Sequence, residues 1–266
     1  TPAQIMYEQK IGQDRVVGRQ ISMDQVTEYY RMVKSGKQAL PVQSPWIVSY
    51  RAGAGYLPWI LSSVNIDERE MDVYKRIKTG FQTGLSVHYL LNNSLGIGWQ
   101  YSFMLSHFKG NYLLEVEPQY PVFSNALLRE THYMNYTGPS IIFQQKLGVG
   151  KQWVLSETLS TGLLIYRGES QSAIYLPQSS GYSQTKQNSL IEGLTLGATA
   201  GISAGYYFRP NSLFGAGIDF MYGRIKNADM EYRNTGGGHG VVENGELQHP
   251  MNLSRFSFSF VYRYFL

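Results

Sequence analysis

From Pro45 to the end of the chain, bulky apolar residues fall on every second position, with small or polar residues between them. Trp46, Val48, Tyr50, Ala52, Ala54 and Tyr56 alternate with Ser49, Arg51, Gly53 and Gly55. The same rhythm runs through Ile77–Tyr89, Leu95–Leu105 and Leu194–Phe208, and again through Phe214–Tyr222 and Arg255–Leu266. It is weaker over Tyr133–Lys146 and Trp153–Ile165. A period of two puts one set on each face of a strand. Eight such segments alternate between tight connections (Leu91–Ser94, Gly148–Lys151, Arg209–Ser212) and long ones near 58–74, 109–131, 168–189 and 225–250. Short turns at one end and long loops at the other predict an all-β, antiparallel, up-and-down barrel over residues 45–266.

Residues 1–44 break the rhythm and form a separate N-terminal segment. There Val26, Tyr29, Tyr30 and Val33 recur at helical spacing. Ser22 is placed to cap the first turn, with Gln25 as its capping-box partner, and Gly36 is placed to end it. One short helix is expected near 23–35, either packed on its own domain or serving as a docking or plugging element. Thr1-Pro2-Ala3-Gln4 lacks the basic start and apolar core of a leader. A processed chain, or the C-terminal anchor of a longer envelope-spanning protein, is expected.

Alternation does not say which face is inside. Three features put the bulky set outside. Eight strands enclose too little space for stripes such as Phe256/Phe258/Phe260 from every strand, whereas a Gly/Ser/Thr set fits. The segments exceed the roughly 9–11 residues that cross a bilayer. Trp46, Tyr89, Trp153, Tyr206, Phe208, Tyr262 and Tyr264 cluster at the short-turn ends, and Tyr56, Tyr133, Tyr222 and Phe256 towards the long-loop ends. Two aromatic rings around an aliphatic band mark the two interfaces of a membrane.

Composition agrees. Charged residues are 16% of the chain, against about 25% in an average soluble domain. No run of 18 apolar residues suggests a membrane helix. Absent cysteine removes disulfides and thiolate metal sites, no histidine pair has ligand spacing, and no cofactor is expected. The net charge of +4 is spread along the chain without Lys/Arg clusters, so no nucleic-acid partner is expected.

The closing strand, with Phe256, Phe258, Phe260, Tyr262, Tyr264 and Leu266, resembles the terminal strand of Gram-negative outer-membrane proteins, although Phe265-Leu266 replaces a lone final Phe. The region 45–266 resembles the small eight-stranded class typified by the outer membrane protein A barrel, with a Tyr- and Gly-rich texture similar to Bacteroidota barrels. The resemblance implies a terminal strand read by the barrel-assembly machinery and contact with lipid bilayer and lipopolysaccharide. It also implies short turns in the periplasm, loops outside the cell, and residues 1–44 on the periplasmic side.

The inward register holds Arg51, Lys78, His88, Lys146, Arg255 and Arg263, with Asp219 as the clear acid. Arg51 and Asp219 fall at mid-depth on strands separated by the eighth, and are expected to pair. Such a lumen is either a closed polar core or a narrow anion-favouring pore. Inner-face glycines, including Gly193, Gly197, Gly201 and Gly205, either relieve curvature or leave room for Tyr207 or the N-terminal segment. Glu157 is the misfit, a carboxylate at a lipid-facing position. Neutralisation, a bulge or a protein contact would each accommodate it. A lipid hydrolase or protease needs a nearby His and Ser, but His107 with Ser106 belongs at the opposite end. Gly236-Gly237-Gly238-His239-Gly240 lacks the Gly-Lys-Ser of a phosphate loop. The expectation is a non-enzymatic anchor or scaffold that engages another envelope protein through residues 1–44 or the long outer loops.

Overall fold

The computed structural model describes residues 4–10, 16–22, 45–58, 78–115, 123–148, 152–178, 181–234 and 239–266. Strands β1 (Gln4–Lys10) and β2 (Val16–Ser22) form an antiparallel hairpin of their own. The predicted helix near 23–35, with Val26, Tyr29, Tyr30 and Val33, lies outside the described residues.

The remaining strands are β3 (Trp46–Tyr56), β4 (Thr79–Leu90), β5 (Leu95–Glu115), β6 (Phe123–Leu147), β7 (Trp153–Gln178), β8 (Gly181–Arg209), β9 (Ser212–Asn234), β10 (His239–Asn252) and β11 (Arg255–Phe265). Each of β3–β9 pairs antiparallel with the next, and β11 pairs with both β9 and β3. The ring β3-β4-β5-β6-β7-β8-β9-β11 is therefore closed, with eight strands in its wall. Closure leaves no unpaired edge, which a strand structure in hydrocarbon requires. Strand β10 pairs with β9 above β11, so the last strand is broken at Leu253-Ser254.

The tight connections follow their sequence. Asn92 Oδ1 accepts from the amides of Ser94 and Leu95, both at 2.8 Å, which closes the β4–β5 turn. Gly148, at φ +87°, turns the chain from β6 towards β7, a conformation that favours glycine. Three of the expected long loops are mostly strand instead. The ladder β5–β6 runs without a break to Glu115↔Phe123, and β7–β8 to Gln178↔Gly181. Continuing a ladder already in register needs backbone pairing and no apolar face, so hydropathy does not reveal it. The wall is consequently uneven, with β3, β4 and β11 short and β5 to β9 tall, β10 continuing beside the upper part of β9.

The outward face carries the bulky set. Phe258 is 61% exposed, Phe260 67% and Leu196 73%, whereas Arg255 and Arg263 are 2% and 1% exposed. At the short-turn end Trp46 meets Tyr89 edge to face, and Trp153 meets Tyr206 in the same way.

Candidate functional site: a closed, layered lumen

The expected Gly/Ser/Thr interior holds in the middle of the barrel and fails at both ends. The short-turn end is filled by Ile47, Leu90, Ile142, Val154, Tyr207, Leu213 and Phe265. Tyr207 points into this layer, its ring 5.5 Å from that of Phe265. The tall end is filled by Leu57, Met104, Met134, Tyr136, Leu164, Tyr166, Met221, Ile225 and Leu253. Inner-face glycines make room for these side chains. A Cβ on Gly55 would lie 2.7 Å from Met104 Sδ, and one on Gly205 2.5 Å from Leu213 Cδ1.

Between the two apolar layers lies a polar one, braced by arginines. Arg51 forms an ion pair with Asp219 and reaches across to Thr158 Oγ1 at 3.3 Å. Strands β3 and β7 stand four apart in the eight-stranded ring, so this side chain spans the diameter. Arg263 donates from Nε to Ser49 Oγ (3.1 Å) and from Nη1 to Ser156 Oγ (2.6 Å). Arg255 donates from Nη2 to Ser102 Oγ at 2.8 Å. His88 Nε2 and Ser140 Oγ are 2.8 Å apart. Gly201 is the clearance for the central pair, because a Cβ there would clash with the Asp219 carboxylate and approach Arg51 Nη1 to 3.4 Å.

Of the inward charges read from the sequence, Arg51, His88, Asp219, Arg255 and Arg263 share this layer. Lys78 lies at the tall end, donating to the Pro58 carbonyl at 3.2 Å, and Lys146 is half-buried towards the short turns. The space left among Arg51, Gln82, Gln100, Asp219 and Arg255 is ≈ 20 Å³. That holds about one water, since a water needs roughly 10–15 Å³ on the same measure.

Beyond the outer aromatic ring, the tall wall carries polar groups that hydropathy did not single out. His132 sits 2.7 Å from Tyr166 Oη and 3.3 Å from Glu130, and Ser170 Oγ donates to Glu130 at 3.4 Å. The serine bonds the carboxylate and not the imidazole, so Ser170 and His132 do not form a nucleophile–base pair in this arrangement. His107 bonds Thr131 at 2.9 Å. On the outside, Arg167 forks between Glu169 (2.7 Å) and Glu192 (3.3 Å). There the β8–β9 ladder shifts register between Glu192 and Gly197. A cleft of ≈ 990 Å³ opens beside it, bounded by Tyr133, Ile165, Arg167, Glu192, Leu194 and Asp229. Glu157 is exposed on the outward face of β7, opposite Phe143 and Ile202. Among the described residues no group of acids and histidines is arranged to hold a metal ion.

No protein-family model and no curated protein matches the sequence. Solved structures similar to it include Neisserial surface protein A, with 15% identity over 84% of this chain and 98% of that one, and a TM-score of 0.39. A major outer membrane protein from Thermus thermophilus has 12% identity over 82% and 99%, with a TM-score of 0.43. The outer membrane protease OmpT from Escherichia coli has 8% identity over 86% and 99%, with a TM-score of 0.34. At these scores the likeness carries no argument. The placement rests on the chain's own outward face, an apolar belt between two aromatic rings around a closed ring of strands. The chain is a closed eight-stranded antiparallel β-barrel whose outward face is that of a membrane-spanning barrel.

Proposed function

We propose that the protein is a non-enzymatic membrane anchor and scaffold. Its barrel holds a fixed place in the outer membrane, while residues 1–44 or the tall outer wall engage another envelope protein. The observation that carries this reading is the filled lumen. A polar layer with space for about one water, capped by apolar side chains at both ends, offers no path to a solute. This speaks against the anion-favouring pore that the arginines alone suggest. The hydrolase reading loses support from the separation of Glu157 from His107 and from the way Ser170 bonds Glu130.

Two measurements test the proposal. Reconstituted in planar bilayers, the protein gives no conductance steps; discrete anion-selective steps would overturn the scaffold reading. In cells, replacing Tyr29 and Tyr30 by alanine, or Arg167 by glutamate, removes a co-purifying envelope protein while the barrel stays inserted. Hydrolysis of lipid or peptide that Glu157→Gln abolishes would move the protein to the enzyme class.

A further inference from the structure

On the outward face of the tall wall, beyond the outer aromatic ring, Lys109 of β5 lies directly opposite Arg129 of β6. Both are exposed, while Ser106, Phe108 and Leu128 beside them are buried in the inward register. Directly opposed residues on one face have Cβ atoms about 4.5–5.5 Å apart, and like charges there destabilise the ladder that carries them. Neither side chain makes a hydrogen bond or ion pair with another described residue. The nearby acids are engaged elsewhere. Glu169, opposite Thr131 on β7, pairs with Arg167 at 2.7 Å, and the half-buried Glu130 meets His132 and Ser170. Two cations held face to face without an acid call for an anion that bonds both.

The height of the pair says where that anion comes from. Arg129 stands four residues above Tyr133 of the outer ring, which is ~10 Å at a rise of about 3.3 Å per residue on a strand tilted roughly 40°. Headgroups extend ~5–8 Å beyond the hydrocarbon, so these two long side chains reach the phosphate level by bending towards the membrane. The β5–β6 ladder continues past Lys109 to Glu115↔Phe123, a further ~15 Å or more of wall. The pair is thus at the foot of the wall, where headgroups lie against it, and a protein arriving from solution meets the tip first. Below it His107 is bonded to Thr131 at 2.9 Å, and Leu105, Tyr133 and Phe103 follow on the same face as the top of the apolar belt. A lipid whose headgroup meets the cations therefore has its acyl chains against that belt.

We propose that Lys109 and Arg129 form a binding site for the phosphomonoester group of a membrane lipid in the leaflet on the long-loop side. A phosphomonoester carries about −1.5 to −2 charges at pH 7 and three acceptor oxygens, so one group neutralises both cations. The Arg129 guanidinium donates as a fork to two of the oxygens and the Lys109 ammonium donates to the third. A phosphodiester headgroup brings a single charge and leaves one cation unmatched. The site rests on the membrane placement of the belt and is independent of the scaffold role.

The test reconstitutes the full chain in phosphatidylcholine nanodiscs that hold equal minor fractions of lipid A with both phosphates, dephosphorylated lipid A and phosphatidylglycerol. The lipids that remain bound after detergent exchange are counted by mass spectrometry. Phosphorylated lipid A is retained about fivefold over each of the other two, the ratio given by ~1 kcal/mol of preference. The preference shrinks as salt is added, because the charges are exposed. Lys109→Gln with Arg129→Gln returns the ratio to that of the bulk, and both exposed positions accept the change without loss of the wall. Arg224→Gln with Lys226→Gln removes the same charge from exposed positions on β9, four strands away round the ring, and leaves the ratio unchanged. Equal retention of the three lipids by the unaltered protein overturns the proposal, as does a preference that survives the first double change or falls equally with the second. Loss of the preference on adding inorganic phosphate equimolar to the lipid A overturns the lipid as the source of the anion.

Discussion

The lipid-facing belt and the lumen are built from alternate residues of the same strands, yet they obey different rules. The belt needs only apolar side chains of any shape, because lipid chains conform to whatever they meet. Phe256, Phe258 and Phe260 on β11 lie opposite Phe220, Ile218 and Ala216 on β9, partners of unlike size and shape. The lumen is a filled interior in which Met104, Leu164 and Leu213 occupy space that glycines leave, and Arg51, Arg255 and Arg263 each bond at least one oxygen across it. Tolerance outside and specificity inside is the difference that substitutions expose.

The largest effect belongs to the ion pair. Asp219→Ala leaves the buried Arg51 guanidinium without its acid, in a small space that Arg255 also lines, between two apolar layers. Removing one partner of a buried pair costs about 3–5 kcal/mol, and reversible urea unfolding in phospholipid micelles measures it. Charge placed in the belt comes next. Phe260→Arg puts a guanidinium near the middle of the apolar band, opposite Ala52 and Ala216, at a cost of roughly 2–4 kcal/mol. If the bulky face were the protein's interior and the polar face its exterior, these two would exchange character, with Asp219→Ala costing almost nothing.

Gly201→Ala is smaller and tests the packing rule directly. Its methyl occupies the place of the Asp219 carboxylate, so the pair must shift, at about 1–3 kcal/mol. The outward neighbour Ala200 accepts the larger Val at under about 0.5 kcal/mol, the usual scale for a surface position. The same unfolding assay separates the two. Equal costs would mean that the glycine serves strand curvature rather than clearance.

The sequence revealed the belt more fully than the lumen, for a physical reason. Alternation reports which face a residue takes, so the outward Phe258 and the inward Arg51 were legible. Closure of an up-and-down ring then placed Arg51 and Asp219 on strands two apart, where the structure pairs them. Alternation does not report which residues meet across the ring. Met104, Leu164 and Leu213 share the inner parity with Gly55, Gly223 and Gly205, and only the three-dimensional match makes them a packed layer. The tall wall was hidden because Lys109↔Arg129 and its neighbours extend a ladder without an apolar stripe.

The smallest and sharpest comparison makes one isomeric change on each face. Leu196 points into lipid and is 73% exposed, while Leu164 is fully buried in the upper lumen layer. Leu164 Cδ2 fills the place where a Cβ on Gly223 would stand. Leucine-to-isoleucine keeps the volume and moves one methyl from the tip of the side chain to its base. At Leu164 this withdraws the methyl that meets Gly223 and crowds the wall of β7. The cost there is about 1 kcal/mol, within the range for volume-conserving core swaps. At Leu196 the lipid follows the new shape, and the β-branched residue suits a strand at least as well, so stability is unchanged or rises by a few tenths of a kcal/mol. Equal losses at both sites would mean that the belt is packed against something as shaped as the lumen, a protein neighbour rather than fluid lipid.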